Sequence, residues 1–296
     1  MMRNMVRSLG RRSPRLLFGL PGPAVRRVVA ATHYELVPLK NLDAQLPHLP
    51  SGARVSVTCS PVKGIGATLD LAERLQGMGL RVTPHIAARL VVDRAGVQAL
   101  AGRFRALGLD EIFLIAGDEE APSGRYAGAL DLLRDMLDTD HGLARIGVAA
   151  YPDGHLFLDH AVLHEALHAK QAVLAEAGVD GWASTQMCFD PQVIATWLRA
   201  ERAAGLALPV RLGIPGPIDR AKLLSMGMRV GVGQSLRYLQ KNRSGLQRLL
   251  TGTGYEPGRL LGELGGDLDA LGVAGLHLFT FNQLRGAVSW VDSVAG

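Results

Sequence analysis

The stretch RVSVTCSPVKGIGATLDLAERLQGMGLRVTPHI, residues 54–86, holds the unit on which the rest of the chain is built. A β-branched run, Arg54 to Cys59, leads into an amphipathic segment, Thr68 to Met78; Gly79 stops it, and a second β-branched run follows, Arg81 to Ile86. Glycine just past a helix adopts the left-handed backbone that ends it, so the pattern predicts strand, helix, strand. The unit recurs in both directions. Strands are expected at Thr32 to Val37, Glu111 to Ala116, Ile146 to Ala150, Gly181 to Gln186, Pro209 to Gly213 and Gly275 to Thr280. Further helices are expected at Val97 to Leu107 before Gly108, Ala127 to Leu137, and Val162 to Ala177 before Gly178. A longer helical stretch runs through Ser235 to Leu250 and again through Leu260 to Leu271. Eight strands alternating with helices predict an α/β fold, a (β/α)8 TIM-type barrel with an extra helix before the last strand. The barrel is expected over residues 32–296, after a basic N-terminal extension, residues 1–31. A doubly wound open sheet would need a phosphate-binding glycine fingerprint. Gly64 and Gly66 have no third glycine at the right offset, and no Walker A sequence occurs.

The 296 residues are 48% hydrophobic and 20% charged, the balance of a globular chain with a sizeable core. No apolar run reaches the length of a membrane span, so no membrane partner is expected. The net charge of +5 is local, because Arg3, Arg7, Arg11, Arg12, Arg15, Arg26 and Arg27 all precede the first acid, Glu35. Those seven charges leave −2 for the rest, and nucleic acid is not an expected partner. The leader reads as a flexible or surface-docked extension, with a transit peptide or basic arm as alternatives. Cys59 and Cys188 form neither a disulfide framework nor a CxxC pair, which fits a reducing cytoplasm.

Barrel chemistry sits at the C-terminal ends of the strands. There the sequence puts Glu35, Thr58, His85, Gly117 and Asp118, Tyr151 with His155, Thr185 with Gln186, Gly213 with Pro215, and Thr280 with Asn282. Any one of these could simply cap a turn. Their convergence points to a site.

The strings HYELVP, VSVTC, TPHIAAR, IAGD, VAAYPDGH, STQMCFD and HLFTFN, in this order from residue 33 to about 290, resemble the methylenetetrahydrofolate reductases. The resemblance implies a flavin-dependent barrel that interconverts 5,10-methylenetetrahydrofolate and 5-methyltetrahydrofolate with NADH or NADPH. It makes Glu35 the general acid and Asp118 the aspartate between flavin and pterin. It assigns Thr58, His85, Gly117, Asp118, Tyr126, Tyr151 and His155 to FAD, and Glu35, Asp118, Gln186, Phe279 and Arg285 to folate. A homo-oligomer is also implied. The chain departs from the family in three places. Ala116 stands where an arginine usually precedes Gly117-Asp118, Lys170 lies a turn or two before the family's lysine, and Gln283 follows Asn282 in place of a folate-holding arginine, for which Arg285 could substitute. Missing cations predict weakly bound FAD.

The segment HAVLHEALH, residues 160–168, contains the HExxH pattern of zinc hydrolases, with His164 and His168 on one helical face and Glu165 as base. His160 lies one turn earlier on the same face, but a lone helix cannot wrap three ligands around one metal, and as the start of a barrel helix the segment reads as a solvated face, so no metal site is assigned. A zinc-dependent hydrolase, and a non-catalytic barrel partner of a one-carbon enzyme, are the competing readings.

Overall fold

A computed structural model describes residues 21–155, 158–218 and 257–296. The strands are β1 (Thr32–Leu36), β2 (Arg54–Val57), β3 (Arg81–Ala87), β4 (Glu111–Ile115), β5 (Arg145–Ala150), β6 (Asp180–Thr185), β7 (Val210–Pro215) and β8 (Val273–Phe279). They pair in parallel, in chain order, and close β8 onto β1. Around them lie α1 (Pro23–Ala30), α2 (Gly64–Gly77), α3 (Arg94–Ala106), α4 (Ala129–Leu137), α5 (His160–Glu176), α6 (Pro191–Ala203), α7 (Pro257–Leu264) and α8 (Leu284–Ala295). This is the (β/α)8 barrel that the alternation predicts. Among the described residues no helix is long and apolar enough to cross a membrane.

The helix stops are the expected ones, since Gly79, Gly108 and Gly178 have φ of +80°, +61° and +67°. The starts of α2, α3 and α5 lie earlier than periodicity suggests, and that of α4 lies two residues later. The Asp93 side chain accepts from the Gly96 N–H and opens α3, and Asp190 accepts from Gln192 and Val193 ahead of Pro191 to open α6. Of the long stretch before β8, residues 235–250 lie outside the described residues. The piece expected to reach Leu271 ends at Leu264, where Gly265 and Gly266 interrupt it and turns carry the chain to β8.

Residues 23–30, read above as part of the extension, form α1. Its Val25, Val28 and Val29 are buried against α8 and β8, while Arg27 turns outward to Asp269. The valines stand at helical spacing beneath the arginines that dominate the leader's composition.

Strand residues alternate between two environments. Ile112, Leu114, Ile146, Val148, Leu212, Ile214, Leu276 and Leu278 are fully buried between barrel and helices. The lumen is polar instead. At its N-terminal end the Arg211 guanidinium stacks 4.0 Å over Trp182, lies 3.8 Å from Glu111 and reaches the His33 ring at 3.4 Å. Thr83 donates to Glu111, and Arg145 pairs with it at 3.0 Å. Gly147 leaves the space that the Trp182 indole fills. Burial and then the Arg211 charge hold His33 well below its ordinary pKa, so it is a neutral imidazole in this plug.

Candidate active site

Above the plug, the next inward-facing positions bring Glu35 from β1, His85 from β3, Phe113 from β4 and His277 from β8 into one buried layer. Glu35 Oε2 lies 2.9 Å from His277 Nε2, and its backbone carbonyl accepts from the Thr280 hydroxyl. The His85 ring meets Phe113 edge-on at 4.8 Å and lies 5.6 Å from His277. Burial first, and the His277 ring second, hold His85 well below the ordinary histidine pKa; its Nε2 is buried with no hydrogen-bond partner. Neutral His85 therefore offers one unused ring nitrogen beside a carboxylate fixed from one side.

The strand ends form a rim over this floor. Gly117 has φ +103°, and a side chain there would run into Glu119 and Ala87, so only glycine lets the β4 end turn so tightly. Asp118 follows, with its pKa raised by desolvation and by the Glu119 charge and opposed by Arg89. Tyr151, at the end of β5, is pushed up to about 12 by burial and then by the Asp118 charge, and its ring meets His155 edge-on at 5.3 Å. Thr58 closes β2 against β1, its N–H donating to Leu36 O at 3.0 Å. The Gln186 side-chain oxygen accepts from the Met187 N–H at 2.8 Å, so its orientation is fixed and its amide hydrogens point away from that bond. The Phe279 ring packs 5.0 Å from His277.

Thr58, Gly117, Asp118, Tyr151, His155, Gln186 and Phe279 thus gather at the rim, with Glu35 and His85 in the floor. Tyr126 does not join them. Its ring is buried in the outer shell, where its hydroxyl donates to Asp135 on α4 at 2.7 Å. Arg285 is exposed on the first turn of α8. Lys170 is buried on α5 and donates to the carbonyl of Ala149 in β5 at 3.3 Å, and burial lowers its pKa to about 8. The HExxH segment lies in the helix layer, as the start of α5, and Glu165 is exposed there.

Two contributors, His277 and Arg89, escape the sequence reading, while Asn282, named there among the strand-end residues, has a structural part. His277 stands two residues before Phe279, the spacing of two inward-facing strand positions, and holds Glu35. Asn282, at φ +55°, accepts from Val37 N–H at 2.9 Å and donates to Val37 O at 2.8 Å, which ties the β8 end to the β1 end. Arg89, just past β3, spans the β4–α4 loop by donating to Ala127 O at 2.9 Å and Glu119 O at 2.8 Å.

Residues 49–232 match the family model described as methylenetetrahydrofolate reductase. Among solved structures, the chain is similar to Xanthomonas albilineans dihydropteroate synthase in complex with indole-2-carboxylic acid and 6-chloroguanine. Identity is 15%, with 88% of this chain and 89% of that one covered at a TM-score of 0.44. It is also similar to Yersinia pestis DHPS with a pterine-sulfa conjugate, at 14% identity, 89% and 91% coverage and a TM-score of 0.46.

Proposed function

Because the chain belongs to the methylenetetrahydrofolate reductase family, we propose that it reduces 5,10-methylenetetrahydrofolate to 5-methyltetrahydrofolate at the C-terminal mouth of the barrel, with NADH or NADPH as hydride source. The carrying observation is the buried Glu35 carboxylate, gripped through Oε2 by His277 at 2.9 Å in the floor of the barrel mouth. Glu35 gives a proton to N10 as the bond between N10 and the methylene carbon breaks, leaving an N5 iminium. Hydride then adds to that carbon and completes the methyl group. His277 orients the acid, and Asp118 and Gln186 bind the pterin edge. Asp118, with its raised pKa, tolerates an apolar ring laid over it.

Flavin, which the family implies, has support in one part of the site and lacks it in another. The orphaned Nε2 of His85, the side-chain-free turn at Gly117, and Thr58, Tyr151 and His155 suit a flat heteroaromatic ring. Among the described residues the rim offers the phosphates no equivalent. Ala116 carries no charge, and Arg89 spends Nε and Nη1 on backbone carbonyls. FAD, when bound, supplies a two-electron carrier between nicotinamide and folate, and we propose that it is held weakly here.

Glu35→Gln tests the reading, since the amide still accepts from His277 but has no acidic proton to give. Folate turnover should fall by about 10²- to 10⁴-fold with the melting temperature nearly unchanged. Measurement with and without added FAD separates the hydride route from the acid step. Full turnover by the glutamine variant would remove Glu35 from the chemistry.

A further inference from the structure

On the outer side of the barrel, α5 and α6 bring together a second set of chemistry-bearing side chains. His164 and His168 stand four residues apart on one face of α5, with ring centroids 4.4 Å apart. Glu201 of α6 is 5% exposed, and its Oε2 lies 2.8 Å from His164 Nδ1 and 2.8 Å from His168 Nε2. Among the described residues no lysine or arginine pairs with this carboxylate. A buried carboxylate that meets two imidazoles and no lysine or arginine is an arrangement that a bound cation completes.

We propose that His164, His168 and Glu201 bind one Zn²⁺ ion that clamps α5 to α6. The three ligand atoms lie within 4.8 Å of one another. Two imidazole nitrogens and a carboxylate oxygen make a zinc donor set, whereas Mg²⁺ and Ca²⁺ would demand oxygen. Ligands about 2.0–2.1 Å from a tetrahedral ion stand about 3.3 Å apart, so the two 2.8 Å carboxylate–imidazole distances need to open by about 0.5 Å each. The fourth position has room. A cavity of about 290 Å³ adjoins His164 and Glu201 and extends past Leu163 and Trp197 to Tyr151 at the β5 end. It can hold a metal-bound water or a small anion. Glu165 is exposed and among the described residues belongs to no such cluster, so the ion is proposed as a clamp and not as a hydrolytic centre.

The inference is independent of the folate reading and is tested on the full chain. Chelator-stripped protein is titrated with Zn²⁺ by calorimetry, and thermal unfolding is followed with and without the metal. Wild type should bind one ion per chain and melt higher when loaded. His164→Ala with His168→Ala should weaken binding at least a hundredfold, and Glu201→Gln at least tenfold, with no rise in melting temperature. Because Glu201→Gln could disturb packing, Co²⁺ absorption of the unmutated protein gives a second readout, in which the visible bands of four-coordinate cobalt are expected. No binding, no such bands, or unchanged zinc affinity in the double histidine variant, as would occur if Glu35, His85 and His277 took the ion instead, would overturn the assignment. The cluster would then be a hydrogen-bonded helix contact only.

Discussion

Replacing Lys170 by methionine should stabilise the protein at neutral pH, by an amount that shrinks as the pH rises. Lys170 is 7% exposed, burial alone accounts for the lowering of its pKa to about 8, and among the described residues its hydrogen-bond partner is a neutral carbonyl, Ala149 O at 3.3 Å. In the unfolded chain the amine titrates near 10.4. Between those values the unfolded state binds more protons than the folded one, so stability rises with pH through this window and is lowest below about 8, where both states are charged. The cost of burying the charge is about 3 kcal/mol at pH 7 and about 1 kcal/mol at pH 10. Methionine fills the same stem volume but loses the bond to Ala149, worth about 1 kcal/mol. The net gain is therefore about 2 kcal/mol at pH 7 and about zero at pH 10. Urea unfolding of both proteins at pH 7, 8, 9 and 10 measures the difference, from which titrations common to both, such as those of Tyr34 and Tyr151, cancel. A difference that stays constant across the series would refute the reasoning, because it would mean that the amine is not carrying its charge into an apolar site.

Tyr126→Phe should cost about 1 kcal/mol of stability through the lost bond to Asp135 and leave flavin content and folate turnover unchanged, as read by unfolding, absorbance and assay. Removing residues 1–22 should leave the melting temperature close to wild type, whereas removing residues 1–30 should cost about 5 kcal/mol, because Val25, Val28 and Val29 leave the core. Asn282→Ala should cost about 2 kcal/mol for its two bonds to Val37 and raise KM for folate more than it lowers kcat, since it holds the rim and takes no part in proton transfer.

How far the sequence could be read depended on whether a feature repeats locally. Strand runs and the glycines at 79, 108 and 178 carry their meaning within a few residues, so the barrel follows from the alternation. Glu35, Asp118 and Gln186 could be named because strand ends are recognisable and the motif strings stand in order. Tyr126 was misplaced for the opposite reason. It lies in a loop whose direction depends on Asp135, nine residues away and on a helix, and no spacing rule decides between rim and shell. Glu201 is 33 residues beyond His168 and reaches it only because α5 and α6 are neighbours in a closed ring. The buried face of α1 was hidden by composition, with seven arginines drawing attention from three valines.

The lumen itself separates a structural end from a functional one without reference to any family. At the N-terminal end, the charged groups Arg211, Glu111 and Arg145 pair with each other, and the Trp182 indole stacks on one of them. Pairing of that kind makes buried charge tolerable and fixes the plug. One layer up the accounting changes. Ser56 Oγ, Ser184 Oγ and His85 Nε2 are buried without hydrogen-bond partners, and so are both carboxylate oxygens of Glu119 near the rim; in the plug Glu111 Oε2 also lacks a hydrogen bond but lies 3.0 Å from the Arg145 guanidinium. Unsatisfied buried groups cost about 1–3 kcal/mol each, and a fold that satisfied its lower layer by pairing could have filled the upper one with aliphatic side chains. Keeping polar atoms there makes sense if a polar ligand completes them. Glu35 sits at the boundary of the two layers, held from one side by His277. That position lets one carboxylate be rigid enough to aim a proton and close enough to the mouth for a pterin to receive it.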